Sequence, residues 1–316
     1  MARLIARRLV ALVVVLLVLS LGIFALLWIA PEKPIDILLG GRPASPAAIK
    51  AIQREYHLNA PFLAQYWRWL SDALQLNLGR SIVTEQPVTQ VLGQSLPLTL
   101  ELALYGFTLA LLVGVPAGVA AALLKRRPAD RIAVALSVVG VSAPAFATGI
   151  ALLYVFAVKL GWFPAFGPGS GIASQIVHLT LPACSLALTS IALILKLTRA
   201  SMIEALDRDF IVFARARGLP ARRVVIRHAL RNALIPLVTA SGSVLAYMIA
   251  GVVVVEVTFA LPGMGSLLVS SILNADIPVV QGAALVTAVA VVSINLLVDL
   301  LYLAIDPRVR LARVQR

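Results

Sequence analysis

The sequence predicts an all-α membrane protein of six transmembrane helices with both termini in the cytosol. Three observations carry this. Of 316 residues, 60% are hydrophobic and 13% charged, with a mean hydropathy of +0.97, whereas a soluble domain is about a quarter charged. Six runs, 9–30, 96–123, 132–157, 176–197, 234–258 and 279–304, are apolar enough to cross a bilayer, which takes roughly 20 residues. None alternates with period two, so helices rather than a barrel must satisfy the backbone in lipid.

Orientation follows from the basic residues. With the N-terminus inside, 20 of the 27 Lys and Arg fall on the inner segments, and this asymmetry fixes both termini in the cytosol. The net charge of +13 is therefore mostly topology and not a nucleic-acid footprint. The first run is too long for a secretory signal and lacks a small-residue cleavage site, so 1–30 reads as a retained transmembrane helix.

Residues 31–95 form an extracytoplasmic segment long enough to carry short helices. Ser45-Pro46 starts one through Tyr56, and Asn59-Ala60-Pro61 starts another through Leu74. Phe62, Tyr66 and Trp69 recur at helical spacing beside Trp67. They suit an aromatic belt at the membrane surface or a docking surface for an external partner.

Residues 96–305 hold the other five spans. The short KRRPADR turn makes the second and third an antiparallel hairpin. Gly114, Pro116 and Gly118 in one, and Gly140, Pro144 and Gly149 in the other, permit close approach or a kink. Pro144 is accordingly a candidate for the translocation path. So are Glu101 and Glu256, since ionisable groups near hydrocarbon are functional candidates, although both, like Asp299, fall near helix ends where water is in reach. The outer loop GWFPAFGPGSG is a short shaped connection, and in the last outer loop Pro262-Gly263 marks a turn before an apolar stretch, Ser266 to Leu273. That stretch is either re-entrant or interfacial.

Catalytic and metal constellations are not expected. His57, His178 and His228 are split between the two sides of the membrane and cannot gather with the single Cys184. A nucleotide-binding P-loop needs Gly-Lys followed by Ser or Thr. Here Lys33, Lys50, Lys125, Lys159 and Lys196 precede Pro, Ala, Arg, Leu and Leu. The chain is not expected to be an enzyme or to hold a cofactor, and energy other than an ion gradient must come from another subunit.

The inner loop 199–233 is the one strongly patterned interruption of the second half. Ile203, Leu206, Phe210, Phe213 and Ala214 fall at helical spacing, with Asp207, Arg208 and Arg215 on other faces. Gly218 ends that helix and Pro220 opens the next. In the second helix Arg223, Arg227 and Arg231 line one face, with Val225, Ala229 and Ala233 almost opposite. The Arg stripe suits lipid headgroups. The Phe210/Phe213 face, coupled to a sharp Gly-Pro corner, suits a groove on a protein partner.

This loop, EALDRDFIVFARARGLPARRVVIRHALRNALIP, resembles the coupling loop of binding-protein-dependent ABC importer permeases. Its ARARGL and RHALRNALIP are similar to the oligopeptide/dipeptide/nickel subfamily. Aligned on Gly218, the general motif's Glu-Ala-Ala falls on Val212, Phe213 and Ala214, and its closing Pro on Arg231, with a Pro instead at Pro236. These departures look like that subfamily's own variant. YHLNAPFLAQYWRWL, NLGRSI, SLPLTLELAL, FALPGMGSLL and YLAIDPRVR agree in order, over roughly residues 1–310. The long segment after the first span resembles the B-type of two permease partners, although IAPEKPIDILLGG departs from the pattern expected there.

The resemblance implies a type I ABC importer permease fold, multi-pass in a bacterial inner membrane, with residues 306–316 as a cytosolic tail. It implies a second homologous permease, two cytosolic ABC ATPases carrying ATP and Mg, and an extracytoplasmic solute-binding protein, besides membrane lipid. By the same resemblance the 204–218 helix couples to the ATPase through Glu204, Asp207, Phe210, Phe213, Ala214, Arg215 and Gly218. Leu261, Pro262, Gly263, Met264 and Gly265 form an outer gate or, with the 56–74 segment, a binding-protein contact. The solute is implied to be a di- or oligopeptide or a similar small molecule; glutathione, nickel complexes and some sugars share this permease type. The competing readings are an ion-coupled secondary transporter, which needs intramembrane charge pairs and an inverted repeat, and a membrane scaffold that tolerates change at Gly218.

Overall fold

The computed structural model describes residues 2–29, 45–46, 50 and 60–305. Its elements are α1 (Ala2–Ile29), α2 (Phe62–Leu74), α3 (Val88–Leu123), α4 (Pro128–Ser142), α5 (Ala145–Leu152), α6 (Ile172–Leu206), α7 (Asp209–Ala216), α8, α9 (Met264–Leu273) and α10 (Ile277–Ile305). A π-helical stretch, Leu153–Lys159, prolongs α5. We use α8 for Ala221–Arg223, the π-helical Val224–Leu230 and Arg231–Thr258, which follow without a gap. No strand occurs among the described residues, beyond one isolated bridge between Arg80 and Pro87.

Five helices are long and apolar enough to cross a membrane, and a sixth span results if the bent pair α4 and α5 counts as one. That pair occupies the expected third span, 132–157, and goes beyond the kink that Pro144 permits there. It is broken between Ser142 and Ala145 and bent by 103°. Pro144 has no N–H to donate and pushes the residue before it out of the helical region, and Ala143 accordingly sits at φ −81°, ψ 119°. The second span is longer than expected, α3 beginning at Val88, so Glu101 lies well inside the helix and not near its end. The expected helix from Ser45 to Tyr56, the IAPEKPIDILLGG stretch and the 306–316 tail lie largely or wholly outside the described residues, as does the Asp299 side chain.

The chain divides into two compact units, one of residues 1–99 with 262–293, the other of 100–261 with 294–316. In the first, α2 packs on α1 through an aromatic cluster. Phe24 meets Phe62 at 5.4 Å and Trp69 at 5.6 Å between ring centres, and the Tyr66 hydroxyl lies 2.8 Å from Ser20 Oγ. Phe62, Tyr66 and Trp69 thus tether α2 to the first span, and Trp67 is the aromatic of α2 left exposed. Val88, Leu92, Met264, Val279 and Ala283 form the core of this unit. The buried Asp276, at the corner between α9 and α10, accepts the Ser81 hydroxyl and the amides of Ile82 (3.1 Å) and Val83 (3.4 Å). The carboxylate thereby closes the 80–84 turn onto that corner.

In the second unit α6 is central, and α4, α5 and α8 all pack against it. Its face is made of small residues, Ala183, Ser185, Ala187, Ser190 and Ala192 among them, all buried. The α3–α6 contact is close because α3 presents glycine there. A Cβ at Gly118 would stand 2.6 Å from Thr198 Cβ and 2.7 Å from the Leu195 carbonyl oxygen, and Gly114 one turn earlier is nearly as tight against Ile194. Small residues one turn apart on one helix are how backbones approach in lipid, where dispersion drives helix packing.

Candidate functional site

The loop between α6 and α8 is built on one buried cluster. Met202 and Ala205 of α6, Ile211 and Ala214 of α7, Val224, Ala229 and Ala233 of α8, and Ala122 of α3 pack together. The five-residue step from Val224 to Ala229 keeps both inside because the π-helical stretch has a wider turn than an α-helix. The opposite stripe, Arg223, Arg227 and Arg231, is exposed as the sequence predicts.

The single helix expected over 204–218 is two elements. α6 runs on to Leu206, the chain turns at Asp207 and Arg208, and α7 starts at Asp209. Exposed charge pairs span the turn: Lys125 Nζ reaches Asp207 Oδ2 at 3.3 Å, and Arg208 pairs with Glu204 one turn back. Asp209 in the first turn and Arg215 in the last suit the α7 dipole. Glu204 and Asp207 therefore lie at the corner, each with a partner within the chain.

α7 ends in a Schellman motif. The Gly218 amide donates to the Arg215 carbonyl at 2.9 Å, and the Leu219 amide donates to the Ala214 carbonyl at 3.3 Å. Gly218 takes φ +74°, the left-handed region that other residues enter at a cost. With Ile211 and Ala214 facing inward, α7 turns Phe210, Val212 and Phe213 out, at 39%, 61% and 69% exposure. Ala214 is thus an internal anchor rather than a contact face, whereas Phe210, Phe213 and Arg215 remain available. The spacing places Ala214 with the phenylalanines and does not single out Ile211 and Val212. With Phe210 and Phe213 as neighbours on every side, apolar spacing does not say which edge of so short a helix faces in.

A second constraint fixes the start of α4. Arg199, near the end of α6, holds the buried Asp130 through Nε and, at 2.8 Å, through Nη2, while the Arg126 amide donates to Asp130 Oδ2 at 3.0 Å. Sequence reasoning missed this pair. Its only signal was an acid within the basic KRRPADR turn.

The translocation-path candidates separate. Pro144 lines a cavity of about 160 Å³ at the α4–α5 break, together with residues of α6 and α8. Glu101 is exposed and accepts a hydrogen bond from Gln175 Nε2 at 2.6 Å. Glu256 is fully buried. Neither acid lines that cavity. Of the outer-loop residues, Leu261, Gly263, Met264 and Gly265 are buried and only Pro262 is exposed. The Met264 amide donates to Thr99 Oγ1 at 2.8 Å.

Residues 114–311 match the model of the binding-protein-dependent transport system inner membrane component, and residues 1–103 match the N-terminal model of the same kind of membrane component. The chain belongs to this family. It is a permease subunit of an ABC importer, a multi-pass protein of the bacterial inner membrane, and as such it works with ATPase and solute-binding partners. A putative peptide transport system permease protein of Brucella abortus is 40% identical over 98% of this chain and 99% of its own. A glutathione transport system permease of Pectobacterium atrosepticum is 37% identical over 96% and 97%. Among solved structures, an inward-facing MetNI methionine ABC transporter chain superposes with a TM-score of 0.58 at 19% identity, covering 69% of this permease and 97% of that chain. The shared fold is that of type I importer permeases. Family membership decides against the secondary-transporter and scaffold readings.

Proposed function

We propose that this permease carries di- or oligopeptides or peptide-like solutes such as glutathione, paired with a second homologous permease. Two ATPases, carrying ATP and Mg, dock from the cytosol, and an extracytoplasmic binding protein delivers the solute. The carrying observation is α7. It is a short helix closed at its C-terminus by the Gly218 cap and anchored by Ile211 and Ala214, with an apolar outer face of Phe210, Val212 and Phe213. A face so anchored suits a protein groove, and closure of the ATPases pushing on it would move α6 and α8 through the cluster they share. Arg215 is the polar contact at its edge. The peptide class is supported by the relatives' names and their near-complete coverage. The Leu261–Gly265 segment serves as a gate element, its buried residues holding the turn and Pro262 facing out.

The test is uptake by the complete importer in proteoliposomes, with its own binding protein and internal ATP. ATP-dependent accumulation of labelled di- or tripeptide, or of glutathione, is expected. Uptake of none of these by a complex that still hydrolyses ATP would overturn the solute class.

A further inference from the structure

The break between α4 and α5 exposes backbone at a place where the flanking sequence is apolar. The amides of Ala145 and Phe146 make no hydrogen bond among the described residues, and the carbonyls of Val141 and Ser142 accept none. Irregular backbone at membrane depth is tolerated only inside protein or along a water-filled cavity, and broken helices commonly frame solute sites in transporters. Here the break opens on the cavity of about 160 Å³.

Hydroxyls of α6 serve part of the break. Ser185 donates to the Ala145 carbonyl at 3.0 Å and Thr189 to the Ala143 carbonyl at 3.3 Å. Ser190, next on α6, lines the cavity and is 3% exposed, yet among the described residues its hydroxyl has no hydrogen-bond partner. The one side-chain oxygen both sealed from solvent and unpaired among the described residues is Thr198 Oγ1, so the Ser190 hydroxyl is open to the cavity it lines and free to bond what enters it. The opposite wall carries Tyr247, and no Asp, Glu, Lys, Arg or His lines the space. The carbonyls of Val141 and Ser142, the amide of Ala145 and one hydroxyl, with no charge, match a neutral group that both donates and accepts. The volume is below the ~300–1,000 Å³ of a complete ligand pocket, so it takes part of a solute.

We propose that this cavity is a peptide-unit subsite in the translocation path, binding a backbone amide of the passing solute through Ser190 and the open ends of α4 and α5. It rests on the peptide reading above. Recognition of the amide without regard to side chain suits a path that passes varied peptides.

The experiment uses the complete importer in proteoliposomes with labelled tri-alanine. Ser190→Ala is expected to lower the maximal import rate about fivefold, the loss of one hydrogen bond, and Ser190→Leu to lower it further by filling the cavity. Both should raise the ATP hydrolysed per peptide. Ser190→Cys in a Cys184→Ala chain should react with a small water-borne methanethiosulfonate, and turnover with tri-alanine-loaded binding protein should slow that reaction severalfold. Wild-type import rates in Ser190→Leu, or a modification rate indifferent to tri-alanine, would overturn the subsite and leave the peptide reading standing. No tri-alanine import by the wild type, with ATP hydrolysis intact, would bring down both.

Discussion

Gly218 offers the sharpest test of the coupling helix, because its substitution isolates a single physical term. A Cβ built there meets nothing within 4 Å, so a side chain clashes with nothing. What remains is the backbone: φ is +74°, and a non-glycine residue in the left-handed region costs roughly 1–2 kcal/mol. Since each 1.4 kcal/mol is tenfold in an equilibrium constant, Gly218→Ala should lower the equilibrium constant for forming the docked-ready α7 by about 5- to 30-fold. Asn enters that region more readily, so Gly218→Asn should lose less. Gly218→Pro should lose most, because it fixes φ near −65° and removes the amide that donates to Arg215. The assay is solute imported per ATP hydrolysed in the reconstituted importer, with hydrogen exchange over 209–219 reporting the helix. Coupling should fall in the order Gly, Asn, Ala, Pro while the protein stays inserted. Equal coupling in all four, or Asn worse than Ala, would refute the reasoning.

Three further outcomes follow from the same geometry. Phe213 is 69% exposed, so Phe213→Asp should change thermal stability by about 0.5 kcal/mol or less yet prevent co-purification of the ATPases and stop uptake. Gly118→Ala forces a Cβ to 2.6 Å from Thr198 Cβ and should destabilise by roughly 1–3 kcal/mol; Gly93→Ala in the same helix, with open space around it, should be neutral or slightly stabilising, as melting in detergent would show. Asp130→Ala leaves Arg199 without its two-pronged partner, so its melting temperature should drop several times more than that of Lys125→Ala, whose ion pair is exposed.

Much of this was legible in the chain. Helix stop and start signals at Gly218 and Pro220 appear in the structure where a left-handed cap and a helix opening are needed. The Phe62, Tyr66 and Trp69 spacing did mark a helical face, but its partner, Phe24 of α1, is remote in sequence and leaves no local trace. The Asp130–Arg199 and Asp276–Ser81 contacts were equally invisible, because each joins segments brought together only by packing. Ser190 gave no signal either, since a serine in an apolar run reads as a small packing residue until the space beside it is seen.

The sequence by itself determined the class: hydropathy sets the spans, and the free energy of burying backbone in lipid leaves helices as the only element. Which prolines break a helix was decided by the tertiary structure. Pro182 and Pro236 lie inside continuous helices, whereas Pro144 ends one and opens another across a 103° bend. Every proline removes one donor, but only at 143–145 do Thr189 and Ser185 of a neighbouring helix stand ready to pair with the carbonyls of a full break.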